Sequence, residues 1–136
     1  MVSVQKFSDL DEFMGDKKYS FSLAKSGNVE FSQEDLKVLL MMGAKKDITE
    51  KKNYILIRKG GKVIEEHQSD GAIGIRGFTL KGDYYRGVVD KNGINTKFQD
   101  ASKTSKRENS VVLSVYDNST RLKVATFVFD ATLNIV

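Results

Sequence analysis

The chain has 136 residues with 22 Lys or Arg and 18 Asp or Glu, which gives a formal net charge of +4. Its length is that of one domain, residues 1–136, and no apolar run is long enough to span a bilayer. The absence of Cys excludes disulfide frameworks and thiolate metal sites, and a single His excludes multi-histidine metal sites. The first residues are too acidic and polar for a signal peptide, so we expect a protein of the cytoplasm of the producing cell.

Two short helices are predicted near the start of the chain. Ser8, followed by an acid-rich turn, begins the first, and Gly15 can end it. Ser32, with Asp35 three residues later, forms a variant of the capping box and begins the second. Gly43 supplies the end of that helix, which is too short to be stable without packing.

The first half of the chain otherwise predicts strands. Residues 19–24 alternate between apolar and small polar side chains, and residues 29–31 could pair back on them after a turn. A dense β-branched and aromatic run at 54–58 is followed by two glycines and a second run at 62–65, the pattern of a two-residue hairpin.

Residues 72–80 predict another strand, in which Gly74 and Gly77 indicate a bulge or the close approach of a neighbouring backbone. Residues 99–109 are polar and show no apolar pattern, so we expect a mobile loop there.

A hairpin is predicted between these two segments. Its strands are residues 83–89 and 94–98, and its turn is Asn92-Gly93, the pair preferred in type I′ turns.

The last hairpin, 110–116 and 122–129, carries apolar residues on both faces. This pattern predicts that both faces are buried, one against the core and one against a second element. That element could be a neighbouring copy or a helix from the N-terminal segment of the same chain. Seven to nine short strands with regular turns predict an α+β, β-rich fold: an antiparallel β-sandwich or barrel with one or two short helices.

No pattern singles out a catalytic, cofactor or metal site. Gly71, Gly74 and Gly77 form no phosphate-binding loop, and no Gly-x-Ser-x-Gly elbow is present. His67 fits a surface residue at a strand end. We therefore expect a non-enzymatic protein without a cofactor.

Several segments of the second half resemble the major tail-tube and related virion β-sandwich proteins of tailed phages. They are FTLKG at 78–82, DKNG at 90–93, the polar stretch through Lys103, VVLSV at 111–115 and FVFDA at 127–131. The predicted helix at 33–42 also lies where such folds place theirs.

The resemblance implies a virion structural subunit that forms a homo-oligomer by joining sheet edges, with a long loop reaching a neighbour. The chain has no Pro with which to protect an edge strand, which agrees with this reading. The residues expected at the intersubunit or core sheet are Val111, Leu113, Val115, Phe127 and Phe129. The residues expected on the loop that orders on assembly are Lys103, Lys106 and Arg107.

A small single-stranded nucleic-acid-binding module is the alternative, because basic and aromatic residues alternate in several strands. The residues that would neutralise phosphates are Lys45, Lys46, Arg58, Lys59, Arg76 and Lys81. The residues that would stack on bases are Tyr54, Phe78, Tyr84 and Tyr85. A third hypothesis is a phage-encoded inhibitor that docks on a host protein.

Overall fold

A computed structural model describes residues 4–136, apart from the side chain of Glu12. A 3-10 turn, Phe7–Leu10, leads into the first helix. The helices are α1 (Asp11–Met14) and α2 (Gln33–Met42). The strands are β1 (Tyr19–Ser26), β2 (Asn53–Lys59), β3 (Lys62–Ser69), β4 (Ile73–Phe78), β5 (Tyr84–Asp90), β6 (Gly93–Phe98), β7 (Ala101–Ser105), β8 (Ser110–Asp117) and β9 (Lys123–Phe129).

The strands form two antiparallel sheets. The five-stranded sheet has the order β3-β2-β1-β8-β9, and the four-stranded sheet is the meander β4-β5-β6-β7. The two sheets pack face to face around a core that includes Ile55, Val112 and Phe98. The predicted β-rich α+β sandwich with short helices is therefore confirmed.

Helices cover the other face of the five-stranded sheet. Leu10, Met14 and Met42 are fully buried there against Leu23 and Leu113 of the central strands. The capping box of α2 forms as predicted, since the Ser32 hydroxyl accepts from the backbone of Asp35 and the Asp35 carboxylate accepts from the backbone of Ser32. The molecule is thus layered as helices, five-stranded sheet and four-stranded sheet.

Strand β8 of the closing hairpin is covered within its own protomer. Strand β8 lies between β1 and β9, so one face meets the helices and the other meets the four-stranded sheet. All five residues from Val111 to Val115, including the polar Ser114, have no exposed area. The apolar pattern on both faces therefore reflects the central position of β8, and the covering element is the N-terminal segment together with α2. Strand β9 is an edge strand, and the backbone of Val136 donates to Val128 beside it.

Two local predictions are wrong. Residues 29–31 do not pair back on β1, because the backbone of Glu30 donates to Ala131 and the chain continues into α2. Residues 99–109 are not a continuous loop, because β7 lies within them and pairs with β6. Backbone pairing and the burial of Ala101 and Ser105 hold this strand, although its composition is polar.

The hairpin turn between β5 and β6 also differs from the prediction. Asp90 pairs with Gly93, so the turn residues are Lys91 and Asn92, and neither has a positive φ. The glycine has a φ of 134°, and a β-carbon on it would overlap the backbone carbonyl of Ser105. Gly93 is needed because β7 passes so close to it.

No helix in the described part of the chain has the length and apolar character needed to cross a membrane.

Candidate nucleic-acid interface

Among residues 4–136, no helix or strand covers the outer face of the four-stranded sheet. Alternate residues of β4 and β5 point inward, and Ile73, Ile75 and Val89 pack in the core between the sheets. The residues between them therefore point outward. The ladder register places the outward residues in rows that cross the sheet.

One row consists of cations. Arg76 of β4 lies directly opposite Arg86 of β5, and Arg86 lies directly opposite Lys97 of β6. Within the described residues, no carboxylate forms a salt bridge with any of the three. Like charges that face each other across strands destabilise a sheet by about 0.2–1 kcal/mol. This cationic row thus costs stability, and an anionic ligand would relieve its repulsion.

The next row carries an aromatic pair. Phe78 lies directly opposite Tyr84, with ring centroids 5.4 Å apart and planes tilted by 54°. Phe78 is 69% exposed, which is unusual for a side chain with no polar atom. The exposed Phe78 ring and the half-buried Tyr84 ring lie beside three cations, and together they form a surface that could contact both the bases and the phosphates of a nucleic acid. We call Arg76, Arg86, Lys97, Phe78 and Tyr84 the cationic–aromatic face.

The inner side of the same strands fixes this face in place. A β-carbon on Gly87 would overlap the δ-carbon of Ile55, so the glycine lets β5 approach β2 closely. The hydroxyl of Tyr85 donates to Glu65 of β3 at 2.7 Å. Burial, with help from this hydrogen bond, raises the pKa of Tyr85 to about 12. Tyr85 therefore stays neutral and anchors the two sheets to each other.

The loop after Phe78 is held by a buried carboxylate. Asp83 is fully buried and contacts Lys59 Nζ and Arg121 Nη2, each at 2.6 Å. Burial alone would raise the pKa of Asp83, but hydrogen bonds from Lys59 and Thr79 and the nearby charges outweigh it. The net pKa lies below its usual value. The ion pairs fix the loop that carries Lys81, which lines a shallow pocket together with Lys59 and Lys62.

Several residues expected to bind nucleic acid are engaged inside the protomer. Arg58 is only 4% exposed and donates to the backbone carbonyls of Met14, Asp16, Met41 and Gly60. The guanidinium therefore caps the C-terminal ends of both helices.

Tyr54 is fully buried and donates to Glu66, and Tyr85 is the anchor described above. The rings of Tyr54 and Tyr85 therefore cannot stack on a base in this fold. Lys59 forms a salt bridge with Asp83. Burial raises the pKa of Tyr54 and the hydrogen bond to Glu66 raises it further.

The remaining expected residues are scattered. Lys45 and Lys46 are exposed in the loop after α2, on the opposite side of the five-stranded sheet. Lys103 is half-buried in β7 opposite Thr96, rather than on a loop. Lys106 and Arg107 are exposed in the turn before β8.

The five apolar residues proposed for an intersubunit or core sheet face the helices. Val111, Leu113, Val115 and Phe129 have no exposed area, and Phe127 is half-buried beside them. They cannot contact a second copy unless the helices move away.

Sequence reasoning missed Arg86 and Lys97. Part of the information was in the sequence. Side chains in residues 84–88 alternate between the two faces of the sheet, as those in residues 76–78 do, so the even-numbered residues of each strand share a face. The cross-strand register that joins the rows is the information that the sequence lacks. In the part of the chain that the structure describes, no three His, Asp or Glu side chains cluster closely enough to hold a metal ion.

No protein-family model, curated protein or solved structure matches this chain significantly.

Proposed function

We propose that this protein binds single-stranded nucleic acid on the cationic–aromatic face. The observation that carries the proposal is the row of three cations, without carboxylate salt-bridge partners among the described residues, beside the exposed Phe78 and its half-buried partner Tyr84. A protein that gained nothing from this row would be more stable with neutral or alternating charges there.

The geometry favours a single strand over a duplex. Bases can stack on Phe78 and Tyr84 only where they are not already enclosed in a double helix. The cationic row crosses two strand spacings, about 10 Å, which is enough to contact about three consecutive phosphates of a strand. The contact is small, so the affinity of one copy will be modest.

The direct test is a fluorescence-anisotropy titration of labelled single-stranded oligonucleotides at several salt concentrations. Three neutralised phosphates predict a slope of log K against log salt of about −2. The R86Q variant should lower both the affinity and the slope, because one phosphate contact is lost. The K17Q variant is the matched control, since Lys17 is exposed at the start of the other sheet.

Two outcomes would overturn the proposal. One is the absence of any binding at low salt. The other is binding that R86Q and K17Q weaken equally, which would mean attraction to the net charge rather than to this face. Equal affinity for duplex and single strand, with no effect of changing Phe78, would mean that the face attracts any polyanion and does not recognise single-stranded nucleic acid.

Self-association through sheet edges, as in the tail-tube proteins, is a second proposal. Strand β8 of the closing hairpin gives it no support, because β8 is covered within the protomer. What supports it is the edge strand β9, because Val124 of this strand and Leu122 just before it are exposed at the edge of the five-stranded sheet. Electron microscopy at high protein concentration tests it: rings or tubes that L122S abolishes would support it, and a persistent monomer would contradict it.

A further inference from the structure

Helix α2 is apolar on two sides. Val38, Leu39 and Met42 pack inward against the five-stranded sheet, as expected for a surface helix. On the outer side, however, Leu40 is 71% exposed and Met41 is 45% exposed. Side chains of this kind on an outward face mark a contact surface when they adjoin a concave site.

Such a site lies beside Leu40. A groove of about 330 Å³ runs between the second half of α2 and the loop that follows it. Its apolar walls are formed by Leu36, Leu39, Leu40, Ala44 and Ile48. The volume is at the lower end of the range for ligand pockets, which suits a few side chains better than a large cofactor.

The far wall of the groove is held in position. Gly43 ends α2 in the left-handed conformation, with a φ of 95°. The backbone N–H groups of Lys45 and Lys46 then donate to the carboxylate of Glu66 on β3. These bonds use the backbone and leave both lysine side chains exposed at the rim of the groove.

The charge around the groove is unbalanced. Lys45 and Lys46 contribute positive charge, and Asp47 is the acid among the lining residues. The side chain of Asp47 accepts from the hydroxyl and backbone of Thr49, which lowers its pKa and occupies one of its oxygens. The exposed rim thus presents lysines beside an apolar floor.

We infer that this groove, which we call the α2 groove, binds an acidic amphipathic segment of a partner protein. One or two large apolar side chains of that segment would enter the groove, and flanking carboxylates would meet the lysines. A flat bilayer cannot fill a concave site between a helix and a loop. Nucleic acid has no aliphatic side chain to place there. The inference is independent of the proposed function, because α2 lies across the five-stranded sheet from the cationic–aromatic face.

The test is selection from a displayed library of random peptides about four helical turns long. The selected peptides should be enriched in Leu, Phe or Met flanked by Asp or Glu. L40S should weaken their binding at least tenfold while the protein stays folded, because Leu40 is mostly exposed. L80S is the matched control, since Leu80 is fully exposed on the loop between β4 and β5, in another part of the molecule.

A charge exchange tests the lysines separately. K45E with K46E should weaken the selected acidic peptides and strengthen versions in which each Glu is replaced by Lys. The inference is overturned if no peptide is enriched, if neutral or basic peptides are selected, or if L40S binds as well as L80S. Tighter binding to anionic phosphatidylglycerol vesicles, lost in L40S, would instead assign the surface to a membrane. Displacement of the peptides by single-stranded oligonucleotide would also overturn it.

Discussion

Arg76 lies directly opposite Arg86 on the outer face of the four-stranded sheet, and no carboxylate among the described residues pairs with either. Adjacent like charges on a sheet lower the free energy of unfolding. The R86Q variant should therefore be more stable than the wild type by a few tenths of a kcal/mol. The same change should weaken the binding of single-stranded oligonucleotides. Urea unfolding of R86Q and of the K17Q control measures the first effect, and reduced stability of R86Q would contradict the repulsion.

Phe78 should contribute to binding without contributing to folding. Stacking of a base on an aromatic ring is worth about 1–3 kcal/mol, so F78S should weaken oligonucleotide binding roughly five- to a hundredfold. Its midpoint of thermal unfolding should change little, because the ring is mostly exposed. L122S removes a similarly exposed apolar side chain elsewhere and should leave binding unchanged. An equal loss of affinity in both variants would show that stacking on Phe78 does not occur.

Arg58 should be one of the most sensitive positions for stability. The R58M variant keeps much of the side-chain volume but leaves four backbone carbonyls without their donor, three near the ends of α1 and α2 and one in the turn between β2 and β3. We expect a loss of about 3 kcal/mol in the free energy of unfolding. R58K should lose less than R58M but should not match the wild type, since an ammonium cannot reach four carbonyls in a planar fork. Wild-type stability in R58M would show that the guanidinium is dispensable.

Asp83 should make stability depend on pH in the acid range. Its pKa is depressed in the folded state by Lys59, Thr79 and Arg121, despite the opposing effect of burial. A carboxyl with a depressed folded pKa stabilises the protein above its unfolded pKa of about 4, and this contribution is lost as the pH falls through the folded pKa. The D83N variant should be about 3 kcal/mol less stable at neutral pH because Lys59 loses its partner.

Urea unfolding of the wild type and D83N from pH 7 down to about pH 3 tests this sign. The difference between the two proteins should shrink as the pH falls below about 4. A difference that grows toward acid pH would mean that the carboxyl is destabilising when it is charged.

Gly87 and Gly74 form a matched pair of glycines in neighbouring strands. A β-carbon on Gly87 would overlap Ile55, so G87A should cost about 1–3 kcal/mol. Gly74 has no atom within 4 Å of the corresponding position, so G74A should be neutral or slightly stabilising. Thermal unfolding of both variants checks the close packing of the two sheets, and equal stability of both would contradict it.

Local sequence signals predicted the local structure well. The capping box of α2 and the hairpin at Gly60-Gly61 depend on residues a few positions apart, and both form. Strand β7 was missed because its residues are small or polar, and it is held by pairing with β6 rather than by its own apolar pattern.

The candidate site was predicted only in part. Which residues share a surface depends on their odd or even position within a strand and on how neighbouring strands are paired. Composition predicted Arg58 as a surface cation. It lies at alternate positions with Tyr54 and Leu56 on β2, a strand that is buried on both faces, so its side chain is buried as well. Arg76, Phe78 and Tyr84 were identified from composition. Their position next to Arg86 and Lys97 follows from the pairing of β4, β5 and β6, which no local sequence pattern specifies.

The most direct test of the cationic–aromatic face is an NMR titration of the ¹⁵N-labelled protein with a short single-stranded oligonucleotide at low salt. The proposal predicts that amide shifts cluster on β4, β5 and β6 around Arg76, Arg86 and Lys97, with the resonances of α2 unchanged. Shifts confined to other lysine-containing surfaces, or no shifts at saturating oligonucleotide, would contradict it.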